Sequence, residues 1–118
     1  MHERLNLDET DARDLEEFDP KLKAVGYELR PEQMRPSVWV YEEGDASNRH
    51  YHEEQEELYH VLSGRFELRF DGETEELTAG DMIVVSPDEI RQLVCVEAGE
   101  VFVVGAPSVK DDGVVDDE

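Results

Sequence analysis

Between Gly44 and Gly64 the chain reads GDASNRHYHEEQEELYHVLSG, and this stretch limits the fold more than any other. His50 and His52 are two residues apart. On a strand, alternation puts such a pair on one face, about 7 Å apart along the backbone. Glu53 to Gln55 are too polar for a buried strand and read as a turn. Glu57 then opens a second apolar run, Leu58, Tyr59, Val61 and Leu62, which ends at the turn signal Ser63-Gly64. If that run folds back beside the first strand, Glu57 faces the two imidazoles. Two neutral imidazoles and one carboxylate form a donor set for a divalent transition metal. A zinc-protease helix is excluded, because Glu56 stands where the second His after His52-Glu53 is required.

The rest of the chain reads as short strands between turns. Val38-Trp39-Val40-Tyr41 is rich in β-branched and aromatic residues. Phe66, Leu68 and Phe70 alternate with charged residues, Asp71-Gly72 is a hairpin turn, and Thr74 to Leu77 returns. Met82 to Val85 is continuously apolar and suits a strand buried on both faces. Arg91 to Val96 and Val101 to Val104 flank the turn at Ala98-Gly99. Val25 to Arg30 reads as a further short strand with Gly26 as a bulge, and Thr10 caps a helix running to Glu17, which Pro20 stops. Evenly spaced short strands indicate an all-β sandwich or barrel.

The stretch from Gly44 resembles the first motif of the cupin superfamily, G-x5-H-x-H-x4-E-x6-G, at all five fixed positions. The resemblance covers about Met34 to Gly105 and implies a double-stranded β-helix, or jelly-roll barrel, with a short N-terminal extension. We assign residues 1–22 to that extension, 23–107 to the barrel and 108–118 to an acidic, mobile tail. The second cupin motif, G-x5-P-x-G-x2-H-x3-N, is matched imperfectly. Gly80 and Pro87 are present with one extra residue between them; Glu89, Gln92 and Val96 stand where Gly, the third His and Asn are usual. Gln92 then binds the metal through its amide oxygen, or faces it and leaves a position open for water or substrate, or the site holds no metal. With open positions, two His and one carboxylate match the donor set of non-haem iron oxygenases. The metal is Fe, Mn, Ni or Zn.

Tyr59 shares the Glu57 face and is either a pocket-lining phenol or a packing residue. Trp39 and Tyr41 share one face of their strand and Val38 and Val40 the other, and either pair lines the barrel. Alternation turns His60 outward. Arg91 is expected in a surface salt bridge rather than paired with an acidic ligand.

One domain accounts for 118 residues. Acidic residues number 32 against 11 basic ones, for a net charge of −21, and Lys21, Lys23 and Lys110 are the only lysines. With no basic patch to neutralise phosphates, nucleic acid and anionic membranes are excluded as partners. Acid spread over turns and strand edges points to a high-salt setting, where screening removes the self-repulsion. Cys95 is alone, so no disulfide forms within the chain. No apolar run suits a membrane span and the N-terminus lacks a signal-peptide core, so a cytoplasmic protein is expected. Small cupins often pair through sheets and N-terminal strands, which implies a homodimer with residues 23–30 as the edge. The functional expectation is an oxygenase or isomerase acting on a small molecule; the alternative is a binding module without catalysis.

Overall fold

Turn residues cut the sequence into strands too short to bury their apolar faces alone, and two antiparallel sheets solve this by packing face to face. The computed structural model describes residues 2–116. One sheet has the order β1 (Lys21–Lys23), β2 (Arg35–Tyr41), β9 (Gly99–Ala106), β4 (Glu56–Val61), β7 (Met82–Val85). The other runs β10 (Gly113–Val115), β3 (His50–His52), β8 (Arg91–Glu97), β5 (Arg65–Phe70), β6 (Glu73–Thr78). The all-β jelly roll expected from the sequence is the fold observed.

Alternation along each strand builds the core. Tyr41, Tyr59, Val61, Val85, Val101 and Val103 of the first sheet meet Phe66, Leu68, Leu77, Leu93 and Cys95 of the second. Tyr41 packs edge-on against Phe66, with ring centroids 5.2 Å apart. The motif's last glycine closes this core at a corner. Gly64 has φ +84°, and a Cβ there would lie 2.5 Å from the Glu97 carbonyl oxygen, so no other residue fits without moving backbone.

Four local expectations are corrected. Residues 10–17 form no helix. A 3-10 turn, Leu7–Glu9, precedes them, capped by Asn6, whose side chain accepts from the Asp8 N–H at 2.8 Å; Thr10 instead donates its hydroxyl back to the Asn6 carbonyl. Val25–Leu29 is a helical turn, α1, rather than a strand. Its apolar residues Val25 and Leu29 satisfy a helical as well as an alternating spacing, and Tyr27, which a buried strand face would need, is 64% exposed. Gly26 marks a close approach instead of a bulge, since a Cβ there would come 2.9 Å from the Pro36 carbonyl oxygen. The strand edge expected at residues 23–30 is therefore limited to β1. Met82 and Val84 are 58% and 59% exposed, so β7 is buried on one face only; it lies at the sheet edge with β4 as its single neighbour. Finally, the tail expected to be mobile contributes β10, paired with β3 from Gly113↔His52 to Val115↔His50.

Candidate metal centre

The loop before β3 is held against β8 rather than left free. The Gly44 N–H donates to the Cys95 carbonyl, Cys95 returns a bond to the Asp45 carbonyl, and the Ser47 N–H donates to the Leu93 carbonyl. Gly44 takes φ +89° at the start of this loop, a conformation that favours glycine. The loop delivers β3 beside β8 in a single register, His50 opposite Arg91. The chain then turns at Glu53 to Gln55 and crosses to the other sheet. β4 is thus not the hydrogen-bonded neighbour of β3, as a simple fold-back requires; the candidate ligands face one another across the sandwich. Asp112 caps the crossing. Its carboxylate accepts the N–H groups of Glu54 and Gln55 at 2.9–3.1 Å, satisfying backbone donors at the corner.

This geometry brings His50, His52 and Glu57 together, with one potential ligand atom from each lying within 4.8 Å of the others. Glu57 Oε1 is 3.4 Å from His52 Nε2 and 3.9 Å from His50 Nε2. Donors bound to one transition-metal ion at about 2.0–2.2 Å stand roughly 3–3.5 Å apart, so the cluster closes on an ion with small side-chain shifts. His50 Nδ1 lies 2.7 Å from the Asn48 carbonyl oxygen. That contact assigns the ring proton to Nδ1 and frees the Nε2 lone pair for a metal. His52 Nδ1 is 3.4 Å from Asp112 Oδ2, a contact that lacks hydrogen-bond geometry and leaves this buried nitrogen without a hydrogen-bond partner. Gly113 leaves room for the same ring, since a Cβ there would meet His52 Cε1 at 3.3 Å. The residues present fit a divalent transition metal, and the cluster is capable of coordinating one.

Glu57 carries the electrostatics. Burial alone would raise its carboxyl pKa, but His50, His52 and Arg91 outweigh that and hold it well below the ordinary carboxylate range. Arg91 Nη2 donates to Oε1 at 2.6 Å and the Tyr59 hydroxyl donates to the same oxygen at 2.9 Å. Burial and then the neighbouring Glu57 charge push the Tyr59 phenol well above its ordinary value, so it stays protonated as a donor. The Tyr41 phenol is likewise raised, chiefly by burial.

Two expectations about β8 are reversed. Arg91 is fully buried and pairs with the acidic ligand, instead of forming a surface bridge. Gln92, expected at the fourth metal position, alternates to the other face of β8 opposite the exposed Arg69, and its amide Nε2 donates to the Ser47 carbonyl at 2.9 Å. The inward position opposite His50 belongs to Arg91. Trp39, Tyr41 and Tyr59 line a cavity of about 690 Å³ together with the three candidate ligands. On β2 the cavity side is that of Trp39 and Tyr41, while Val38 and Val40 alternate to the other side. Phe18 packs against Trp39 with the rings tilted and their centroids 5.4 Å apart, so the N-terminal segment forms part of the cavity wall. His60 falls on the outer face of β4, in register with Met82 and Phe102.

Asp112, Asn48 and Gly113 are contributors that sequence reading missed, and Arg91 is one that it weighed but assigned to a surface bridge. The signals were present for three of these four. Arg91, Leu93 and Cys95 alternate, which places Arg91 on the core side. Asp112-Gly113 before Val114-Val115 is a turn followed by β-branched residues, a pattern hidden by the acidity of the tail.

Among proteins of known family, a model described as "Cupin domain" matches residues 37–105. No curated protein matches the sequence. Several solved structures share the fold. An RmlC-like cupin from Shewanella frigidimarina is 20% identical, with a TM-score of 0.74 over 91% of this chain and 92% of that one. KdgF from Halomonas sp. is 23% identical, TM-score 0.77, covering 90% and 95%. The polyketide cyclase RemF from Streptomyces resistomycificus is 20% identical, TM-score 0.79, covering 98% and 85%. At these identities the likeness speaks for the fold. Among the described residues no helix is long and apolar enough to cross a membrane.

Proposed function

Because the chain belongs to the cupin family, we propose that it is a metal-dependent enzyme acting on a small molecule held in its barrel, in an oxygenase- or isomerase-type reaction. The observation that carries this reading is the convergence of His50, His52 and Glu57 on the wall of a cavity of about 690 Å³. That volume lies within the range of small-molecule sites. A bound ion would act as a Lewis acid toward a substrate oxygen. His50, His52 and Glu57 would hold it; Asn48 fixes the tautomer of His50, and Asp112 stands behind His52. The two imidazoles and Arg91 keep Glu57 ionised, and the Tyr59 hydroxyl orients it by donating to Oε1. Trp39 and Tyr41 offer an aromatic wall against which the apolar part of a substrate packs. Three protein donors leave positions at the ion for substrate oxygen and water.

Metal analysis of protein purified in high salt, with and without His50→Ala, tests this reading. Stoichiometric Fe, Mn, Ni or Zn in the wild type and its loss in the variant are expected. No metal in either overturns it. Oxygen uptake by the loaded protein in a substrate screen then separates an oxygenase from a binding module. The same reading takes the protein to be a cytoplasmic homodimer suited to high salt, without nucleic-acid partners. The net charge of −21 supports the last two points, and light scattering in salt tests the dimer.

A further inference from the structure

We propose that Arg91 is a positioning residue that stands where a fourth donor would stand and competes with a divalent cation for the Glu57 carboxylate, making the centre a readily reversible three-donor site. This rests on the metal-centre reading above. Arg91 lies opposite His50 on the neighbouring strand, on the core side, with no exposed surface. Its guanidinium is clamped at two points. Nη1 donates to the Glu89 carbonyl at 2.7 Å and Nη2 to Glu57 Oε1 at 2.6 Å, leaving Nε as a buried donor without a partner.

Oε1 is therefore doubly occupied, by Arg91 and by the Tyr59 hydroxyl. A carboxylate oxygen has about two lone-pair sites, and this is the oxygen that the Nε2 atoms of His50 and His52 approach. A cation entering the cluster must displace one of these donors or bind the other carboxylate oxygen. Either way it sits close to a guanidinium that cannot shed its proton, and like charges repel more strongly in this largely buried site than in bulk water. A neutral residue at position 91 reverses the balance. Glu57 is then a buried carboxylate with no fixed countercharge, and an arriving cation supplies it. Linkage requires that the gain in affinity reappear as extra stabilisation of the folded variant by metal.

The test is calorimetric titration of Co²⁺ into wild type, Arg91→Met, Arg91→Gln and Arg91→Lys in high salt, with folding checked by circular dichroism and Tm measured with and without Co²⁺. The neutral variants are expected to bind Co²⁺ about tenfold tighter or more and to gain more Tm from it than wild type does. Arg91→Lys, which keeps the charge, is expected to stay near wild type. An arginine that merely ties strands together gives the opposite result, a loosened site and weaker binding in all three variants. Arg91→Gln decides the matter if Arg91→Met does not fold, because its amide keeps a hydrogen bond to Glu57. Folded neutral variants that bind Co²⁺ no more tightly than a wild type that does bind it overturn this inference alone. If no protein in the series binds Co²⁺, the metal-centre reading falls as well. Binding by the neutral variants but not by wild type supports the inference in its strongest form.

Discussion

Asp112 controls one side of the centre from the far end of the chain. It accepts two backbone N–H groups where the chain crosses between sheets and braces His52 with the same carboxylate. Burial would raise its pKa, but the N–H groups of Gln55 and Glu54 and the nearby His52 outweigh that and hold it below the ordinary 3.8. A carboxyl lowered on folding adds stability that is present above its unfolded value and is lost as pH falls through its folded value. Asp112→Asn should therefore be less stable than wild type at neutral pH, with the gap closing below about pH 4, as read by urea unfolding across pH. Metal affinity should fall as well, because Asp112 holds the corner beside His52 and stands 3.4 Å from its Nδ1. Sequence reading found the three candidate ligands because their spacing is local. It placed Gln92 where Arg91 belongs because counting from Pro87 fixes a position only if the loop length matches the family pattern, whereas strand alternation is indifferent to loop length.

At the scale of elements, two glycines with nearly the same backbone conformation should respond differently to Ala. Gly64 and Gly72 have φ +84° and +80°. A Cβ at Gly72 meets nothing within 4 Å, whereas one at Gly64 would meet three backbone atoms of Glu97, Ala98 and Gly99 at 2.5–2.8 Å. Gly72→Ala should cost only the left-handed strain, about 1–2 kcal/mol. Gly64→Ala adds steric displacement of the β8–β9 turn and should cost about 3 kcal/mol or more in urea unfolding. β10 makes the complementary case. Truncation after Pro107 removes Asp112, the pairing partner of β3 and the Asp116 carboxylate that accepts from Arg49 Nε at 2.7 Å. The shortened protein should retain little metal by elemental analysis even where its far-ultraviolet spectrum still reports strand. Most of the strands were legible because alternation and turn residues are local signals. The helical turn at Val25–Leu29 was not, because five residues satisfy both periods and its contact with β2, marked by Gly26, is tertiary.

At the scale of the whole molecule, two kinds of charge must be kept apart. The net −21 is spread over an acidic surface, and exposed charges of one sign repel over about 10 Å at 0.1 M salt but only about 3 Å at 1 M. Raising NaCl from 0.1 to 1 M should therefore lift Tm by several degrees, measured by calorimetry on the metal-free protein. Glu57 and Arg91 are enclosed between the sheets, and their 2.6 Å contact leaves no room for a screening ion. Binding of Co²⁺ at the centre should then change much less over the same salt range than Tm does, once bulk ion competition is corrected with a chelator control. A parallel, steep loss of affinity and gain of Tm would mean that the surface field, and not the local Glu57–Arg91 pair, sets the cation affinity. A flat Tm would mean that the acidic residues are already neutralised by their neighbours. Arg49 with Asp71 and Asp116, and Arg69 with Glu67, are among the pairs that do this, but 11 basic residues cannot match 32 acidic ones, so an unscreened excess remains for salt to relieve.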